Sequence, residues 1–160
     1  MKKKGLKVTS IILSLVLFLG LMTGCGSKKT TTDKKEEKKQ FKIAKKDLKI
    51  GVIHISDPSE GSGYTYTHDQ GIITMQKKLG LKDNQIVRKT NITDTDPTKT
   101  ETAIKECIED GCNVIFGTSW GYMDTMEAMA KEYPDVVFSH GTGYKKNDSN
   151  FNNYFGRIYQ

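Results

Sequence analysis

The chain has 160 residues, a formal net charge of +6 and 36% hydrophobic residues, which suits one domain of ordinary size and leaves no room for several. The positive charge does not belong to the part expected to fold. Residues 1–46 carry 13 basic and 3 acidic side chains, net +10, whereas residues 47–160 carry 12 basic and 16 acidic, net −4.

The amino end opens with Lys2, Lys3, Lys4 and Lys7, continues with the apolar run Ile11 to Gly20 and reaches "LMTGC" at Cys25. A basic start, an apolar stretch of about ten residues and small residues before a cleavage point describe a secretory signal. The run falls short of the roughly 20 apolar residues that span a bilayer. Thr23-Gly24-Cys25 resembles the lipobox of bacterial lipoproteins, which implies that Cys25 becomes the lipidated first residue of the mature chain, held firmly at the membrane by several acyl chains. Ser27 to Lys46 is polar, dense in lysine and poor in apolar residues, the composition of a disordered tether. The expected organisation is a signal over 1–25, a tether over 26–46 and a folded lobe over 47–160. An exported, anchored chain meets little nucleic acid, so the basic tail is read as a spacer.

Leu48 to Ile55 reads as a buried strand and Thr65 to Leu79 as a helix with Ile72, Ile73, Met75, Gln76 and Leu79 on one face and Gly80 at its end. Gln85 to Asn91 reads as a second strand. The segment from Asp94 to Gly111 reads as a helix, with Pro97 near its start and acidic residues early. Asn113 to Phe116 is a third strand, Tyr122 to Tyr133 a third helix stopped before Pro134, and Val136 to Ser139 a fourth strand; Asn153 to Tyr159 is expected to form a fifth. Strict alternation with short connections predicts an α/β fold, a Rossmann-like parallel sheet with helices on both faces. The chain ends directly after the last strand, where a five-stranded domain would ordinarily add a helix, so a fragment or a short product is expected.

In such a sheet the loops that leave the strands gather at the carboxyl edge, where ligands bind. Four segments meet there: Ser56 to Tyr64, Asn91 to Pro97, Gly117 to Tyr122 and His140 to Asn150. Three are rich in Gly, Ser, Thr and aromatics, a composition that admits a ligand closely, bonds it and stacks on a flat ring. Enzyme signatures are missing: no G-x-S-x-G elbow, no P-loop lysine, no metal spacing. His68 and Asp69 are neighbours on a helix, so they diverge and make no triad. No cofactor and no catalysis are expected. Cys107 and Cys112 fit either a disulfide or two buried thiols.

The stretches "GYTYTHDQG" (Gly63 to Gly71), "FGTSWGYMD" (Phe116 to Asp124), "YPDVVFSHGTGYK" (Tyr133 to Lys145) and "NYFGRIYQ" (Asn153 to Gln160) resemble the basic membrane protein family, over residues 48–160 almost without a break. These are lipoprotein substrate-binding components of bacterial ABC importers. The resemblance implies a periplasmic-binding-protein type I lobe, the first of two around a cleft, with the second lobe absent. It also implies a purine base or nucleoside as ligand, an ABC permease as partner and the extracytoplasmic face of the membrane as location. A lipoprotein that senses a ligand through a signalling partner, or a truncated fragment that binds nothing, are the alternatives. Tyr64 stands where the family places the aromatic that stacks on the base, and Trp120 is expected to join it or to meet the other lobe. Asp57, Thr65, Ser119 and Tyr122 are the remaining expected contacts; Asp57 and Thr65 equally suit a turn and a helix cap. His68 is read as support for Tyr64 more than as a contact, Tyr144 and Lys145 as a solvated loop, and Arg157 as part of the strand leading to the other lobe.

Overall fold

The computed structural model describes residues 40–155. Cys25, the signal and most of the tether therefore lie outside the described residues, as does Arg157. The described chain begins before the expected boundary at residue 47: Lys45–Asp47 form one 3-10 turn, and the Gln85 side-chain amide donates to the carbonyls of Lys45 and Leu48 at 2.9 and 2.6 Å.

Five strands follow, β1 (Ile50–Ile53), β2 (Ile86–Lys89), β3 (Val114–Gly117), β4 (Val137–Gly141) and β5 (Phe151–Tyr154). Three helices join the first four: α1 (Gly63–Leu79), α2 (Pro97–Glu109) and α3 (Met123–Glu132). All four strand pairs are parallel and the order across the sheet is β2-β1-β3-β4-β5, so the strand order reverses beside β1. Alternate side chains of β1 face opposite ways. Ile50 and Val52 pack with Ile72 of α1, Ile86 and Leu81 on one face. Ile53 joins Ile104 and Cys107 of α2, Met126 of α3, Ile115 and Phe138 on the other. Helices cover both faces, and the expected fold class is what the chain adopts.

Local chemistry sets the boundaries. Asp96 caps α2, its carboxylate accepting from the backbone N–H of Thr98 and Lys99 at 3.1 and 3.2 Å, and Pro97 takes the first helical position, where its missing N–H costs nothing. Gly80 ends α1 and Gly111 follows the last turn of α2, at φ 61° and 86°, a left-handed conformation that glycine adopts without Cβ strain. The fifth strand begins two residues earlier than expected. Asn147 Oδ1 accepts from the N–H of Ser149, Asn150 and Phe151, and the Asn150 amide donates to the carbonyls of Ala130, Tyr133 and Val136 behind α3. That clamp delivers Phe151 straight into the sheet. Its last paired residue is Tyr154.

Candidate ligand-binding site

Along α1, Tyr64, Thr67, His68, Gly71, Ile72 and Met75 recur at the spacing that places residues on one helical face. They form one wall of a cavity of about 600 Å3. Phe116 of β3, Thr142 after β4, and Tyr154 and Phe155 at the end of β5 complete the lining. The volume lies within the range of small-molecule sites. Rings dominate the walls. Tyr64 and His68 lie with ring centroids 4.3 Å apart, His68 and Tyr154 at 5.9 Å, and Phe116 and Tyr154 at 6.3 Å edge to face. The Tyr154 hydroxyl is 3.3 Å from His68 Nδ1. Gly141 makes this approach feasible, since a Cβ there would stand 3.2 Å from the Tyr154 hydroxyl and 3.5 Å from the His68 ring. Burial, and then the neighbouring His54, push the His68 pKa below the ordinary value, and burial raises that of Tyr154. His68 is therefore a neutral ring near pH 7. Thr142 holds φ 63°, rare for a β-branched residue. Its N–H donates to the Tyr154 carbonyl at 3.0 Å, which pins the strained turn beside the cavity.

Of the six expected contacts, Tyr64 alone lines this cavity; its side chain is 43% exposed. Thr65 points the other way and is buried, its hydroxyl accepting from Ser56 Oγ at 2.9 Å. It fastens the loop after β1 to α1 and does not cap the helix, which starts two residues before it. Asp57 turns inward on its own loop. Its carboxylate accepts from Ser59 N at 2.8 Å and caps a 3-10 turn over Pro58–Glu60, a bond that lowers its pKa. Tyr122, also an expected contact, is fully buried, and its hydroxyl donates to the Ile92 carbonyl. Ser119 is buried too, and its hydroxyl donates to Asp94 Oδ2 at 2.5 Å. Gly121 lies over the same acidic residue, with no room for a Cβ, which would come within 2.6 Å of the Asp94 carbonyl. Trp120 sits on a 3-10 turn and is 58% exposed. It stands at the carboxyl edge outside the cavity walls. Tyr144 is exposed, while Lys145 Nζ reaches Asp124 and Glu127, each at 2.9 Å, and holds the loop after β4 to α3.

Behind the cavity, on the sheet side of α1, four polar groups form a relay in which His54, Asp69 and Thr118 are buried and Arg88 is half-buried. Asp69 Oδ1 accepts from Arg88 Nε at 2.7 Å and from His54 Nε2 at 3.3 Å. His54 Nδ1 is 3.1 Å from Thr118 Oγ1, whose hydroxyl reaches the Ile53 carbonyl at 3.0 Å. Burial lowers the His54 pKa, opposed by the Asp69 carboxylate. The relay ties the ends of β1, β2 and β3 to α1, so it fixes the wall on which Tyr64 and His68 stand. Neither His54 nor Arg88 announces this in the sequence, because only the parallel registers bring them to Asp69. The α1 stripe could have been found from its 3–4 spacing, whereas Phe116, Thr142 and Tyr154 meet it only through strand order.

No group of His, Cys, Asp and Glu among the described residues could hold a metal ion, and no described helix is long and apolar enough to cross a membrane. The open parallel sheet, its strand order reversing at β1, thus carries an aromatic cavity that reaches its carboxyl edge. The chain belongs to the Bmp family, ABC transporter substrate-binding proteins of the PnrA-like kind, whose model matches residues 48–160. This is a family of substrate-binding proteins and not of enzymes. The chain is 38% identical over 117 residues to a purine-binding protein of Brucella abortus strain 2308, covering 73% of this chain and 32% of that protein. It is 33% identical over 108 residues to a protein of Haloferax volcanii provisionally named an ABC transporter glucose-binding protein, covering 68% and 26%. The matched part of the chain thus spans between a quarter and a third of the length of these relatives. Among solved structures, a solute-binding protein of an ABC transporter system from Conexibacter woesei superposes with a TM-score of 0.53 at 18% identity, over 68% of this chain and 35% of that one. A transcriptional activator of the comK gene from Bacillus halodurans gives 0.54 at 21%, over 66% and 33%. Both share the fold.

Proposed function

We propose that the chain is the first lobe of a receptor for a purine base or nucleoside, which it passes to an ABC permease. The aromatic cavity carries this reading: Tyr64, His68, Tyr154 and Phe116 offer aromatic surface to a flat heterocycle, and base–aromatic stacking contributes about 1–3 kcal/mol per stacked base. The sequence likeness to a purine-binding protein supports it. Lobe closure over the carboxyl edge would then bury the ligand, with Trp120 and Asp94 at the rim facing the incoming partner lobe. Cys25, lipidated, would hold the receptor on the extracytoplasmic face of the membrane.

Calorimetry with adenine, guanosine, a pyrimidine nucleoside and glucose tests the ligand class, on this chain and on one extended by a second lobe. Purines are expected to bind the extended protein most tightly and this chain more weakly. Binding of glucose with no purine binding overturns the ligand class. For the anchor, Cys25→Ala should move the protein from the membrane fraction to the soluble fraction, and unchanged sedimentation refutes the anchor.

A further inference from the structure

α2 ends in the motif in which a left-handed glycine is flanked by two crossed backbone bonds. Gly111 N–H donates to the Ile108 carbonyl at 2.8 Å, and Cys112 N–H to the Cys107 carbonyl at 2.9 Å. This ending places the residue after the glycine against the residue five before it, usually as an apolar contact. α1 ends the same way, with Leu81 N–H on the Gln76 carbonyl. In α2 the two partners are both cysteines, both buried and both free. The direct backbone bond between the two residues keeps them adjacent at the helix end, and the two thiols influence each other, the pKa of Cys107 raised and that of Cys112 lowered. A bridge needs the two Cα atoms within about 7 Å, a closeness that a direct backbone bond between the two residues favours.

We propose that Cys107 and Cys112 form a disulfide site, closed by exchange with a disulfide oxidant when the surroundings are oxidising and open as the dithiol otherwise. The pair is polarised for the reaction. The Cys107 hydrogen bond, and then Lys49, favour the thiolate of Cys112, whereas the bond to Cys112 and burial raise the pKa of Cys107. Cys112 thiolate attacks one sulfur of the oxidant, forming a mixed disulfide and expelling one oxidant thiolate. Cys107 then loses its proton, attacks the Cys112 sulfur and expels the second. Two protein thiols are oxidised, one oxidant disulfide is reduced to two thiols, and the two protons pass to the expelled thiolates. The bridge ties the end of α2 to the residue that leads into β3, at the point where α2 rests on β1: a Cβ on Gly51 would lie 2.9 Å from Cys107 Sγ.

The test uses the full chain, unfolded and reduced, then refolded in buffers of graded oxidised and reduced glutathione, so that burial cannot shield the thiols. Both cysteines fall in one tryptic peptide, residues 106–131, separate from Cys25. The expected result is that this peptide becomes lighter by two hydrogens and resists alkylation as the buffer becomes more oxidising, in a monomeric product whose thermal midpoint rises. Cys107→Ala should instead leave Cys112 alkylated or joined to glutathione, with no ring. A peptide that stays fully alkylated at the most oxidising setting overturns the proposal, as does one that collects glutathione without losing two hydrogens.

Discussion

Asp69 gives the sharpest test of how the cavity wall is held. Replacing it with asparagine keeps the shape and removes the charge. In the native chain Asp69 accepts from Arg88 Nε at 2.7 Å and His54 Nε2 at 3.3 Å, with 9% of its side chain exposed against 29% for Arg88. Hydrogen bonds to a charged acceptor contribute about 1.5–3 kcal/mol each, roughly twice a neutral pair. In Asp69→Asn the amide oxygen retains both acceptor contacts in neutral form, so the loss is about 1 kcal/mol per bond and about 2 kcal/mol in all, since Arg88 keeps enough water to escape a full burial penalty. That is about a 30-fold fall in the folded-to-unfolded ratio. With a urea slope near about 1.5 kcal/mol/M for a fold of this size, the midpoint moves down by about 1.3 M. Urea titration followed by circular dichroism reads it directly, and repeating the change in an Arg88→Gln background should show a coupling of about 1 kcal/mol. An unchanged midpoint refutes the relay as the support of α1. A raised midpoint means the carboxylate costs more to bury than its two bonds return.

Gly71→Ala should raise stability by about 0.5–1 kcal/mol, because Gly71 lies inside α1 with open space where its Cβ would go. The same methyl enters the cavity wall, so calorimetry should show weaker ligand binding; binding unaffected would place the ligand elsewhere. Gly117→Ala should destabilise by about 1–3 kcal/mol, since its Cβ would fall 2.3 Å from Met126 Sδ, and a thermal midpoint equal to that of the native chain would contradict the packing. His54 and His68 both have lowered pKa values, so the folded chain binds their protons less tightly than the unfolded chain. Stability therefore falls as pH drops below about 6.5 and stops falling below the folded-state values. His68→Gln should flatten part of that slope in urea midpoints, and a flat native profile refutes both shifts. In the extended two-lobed protein Tyr64→Ala should weaken purine binding by about ten-fold or more and Trp120→Ala by less, because Trp120 lies outside the cavity; the reverse order would move the site to the rim.

The fold was readable from the sequence because it rests on local signals. Pro97, Gly80 and Gly111 mark helix ends by chemistry that acts within one turn, and the apolar runs from residues 48, 113 and 136 could only be buried strands. The site was less readable, for a physical reason. Thr65, Ser119 and Tyr122 do belong to the loops at the carboxyl edge, yet each points inward, and a loop sequence carries no period that tells inward from outward. Asp57 met the nearest donor, Ser59, two residues away. Lining residues such as Phe116 and Tyr154 are 38 residues apart in the chain and become neighbours only when β4 slots between their strands. Asp94 and His54 had ordinary loop and strand-end settings, and nothing short of the registers shows what faces them.

The strand order has a consequence for how the sheet is made. β1 lies between β2 and β3, β4 adds to β3, and β5 adds to β4. Each strand after the first therefore pairs with one that precedes it in the chain. Each new strand can add to an edge that already exists, in the order in which residues are synthesised, and no strand has to be inserted between two already paired.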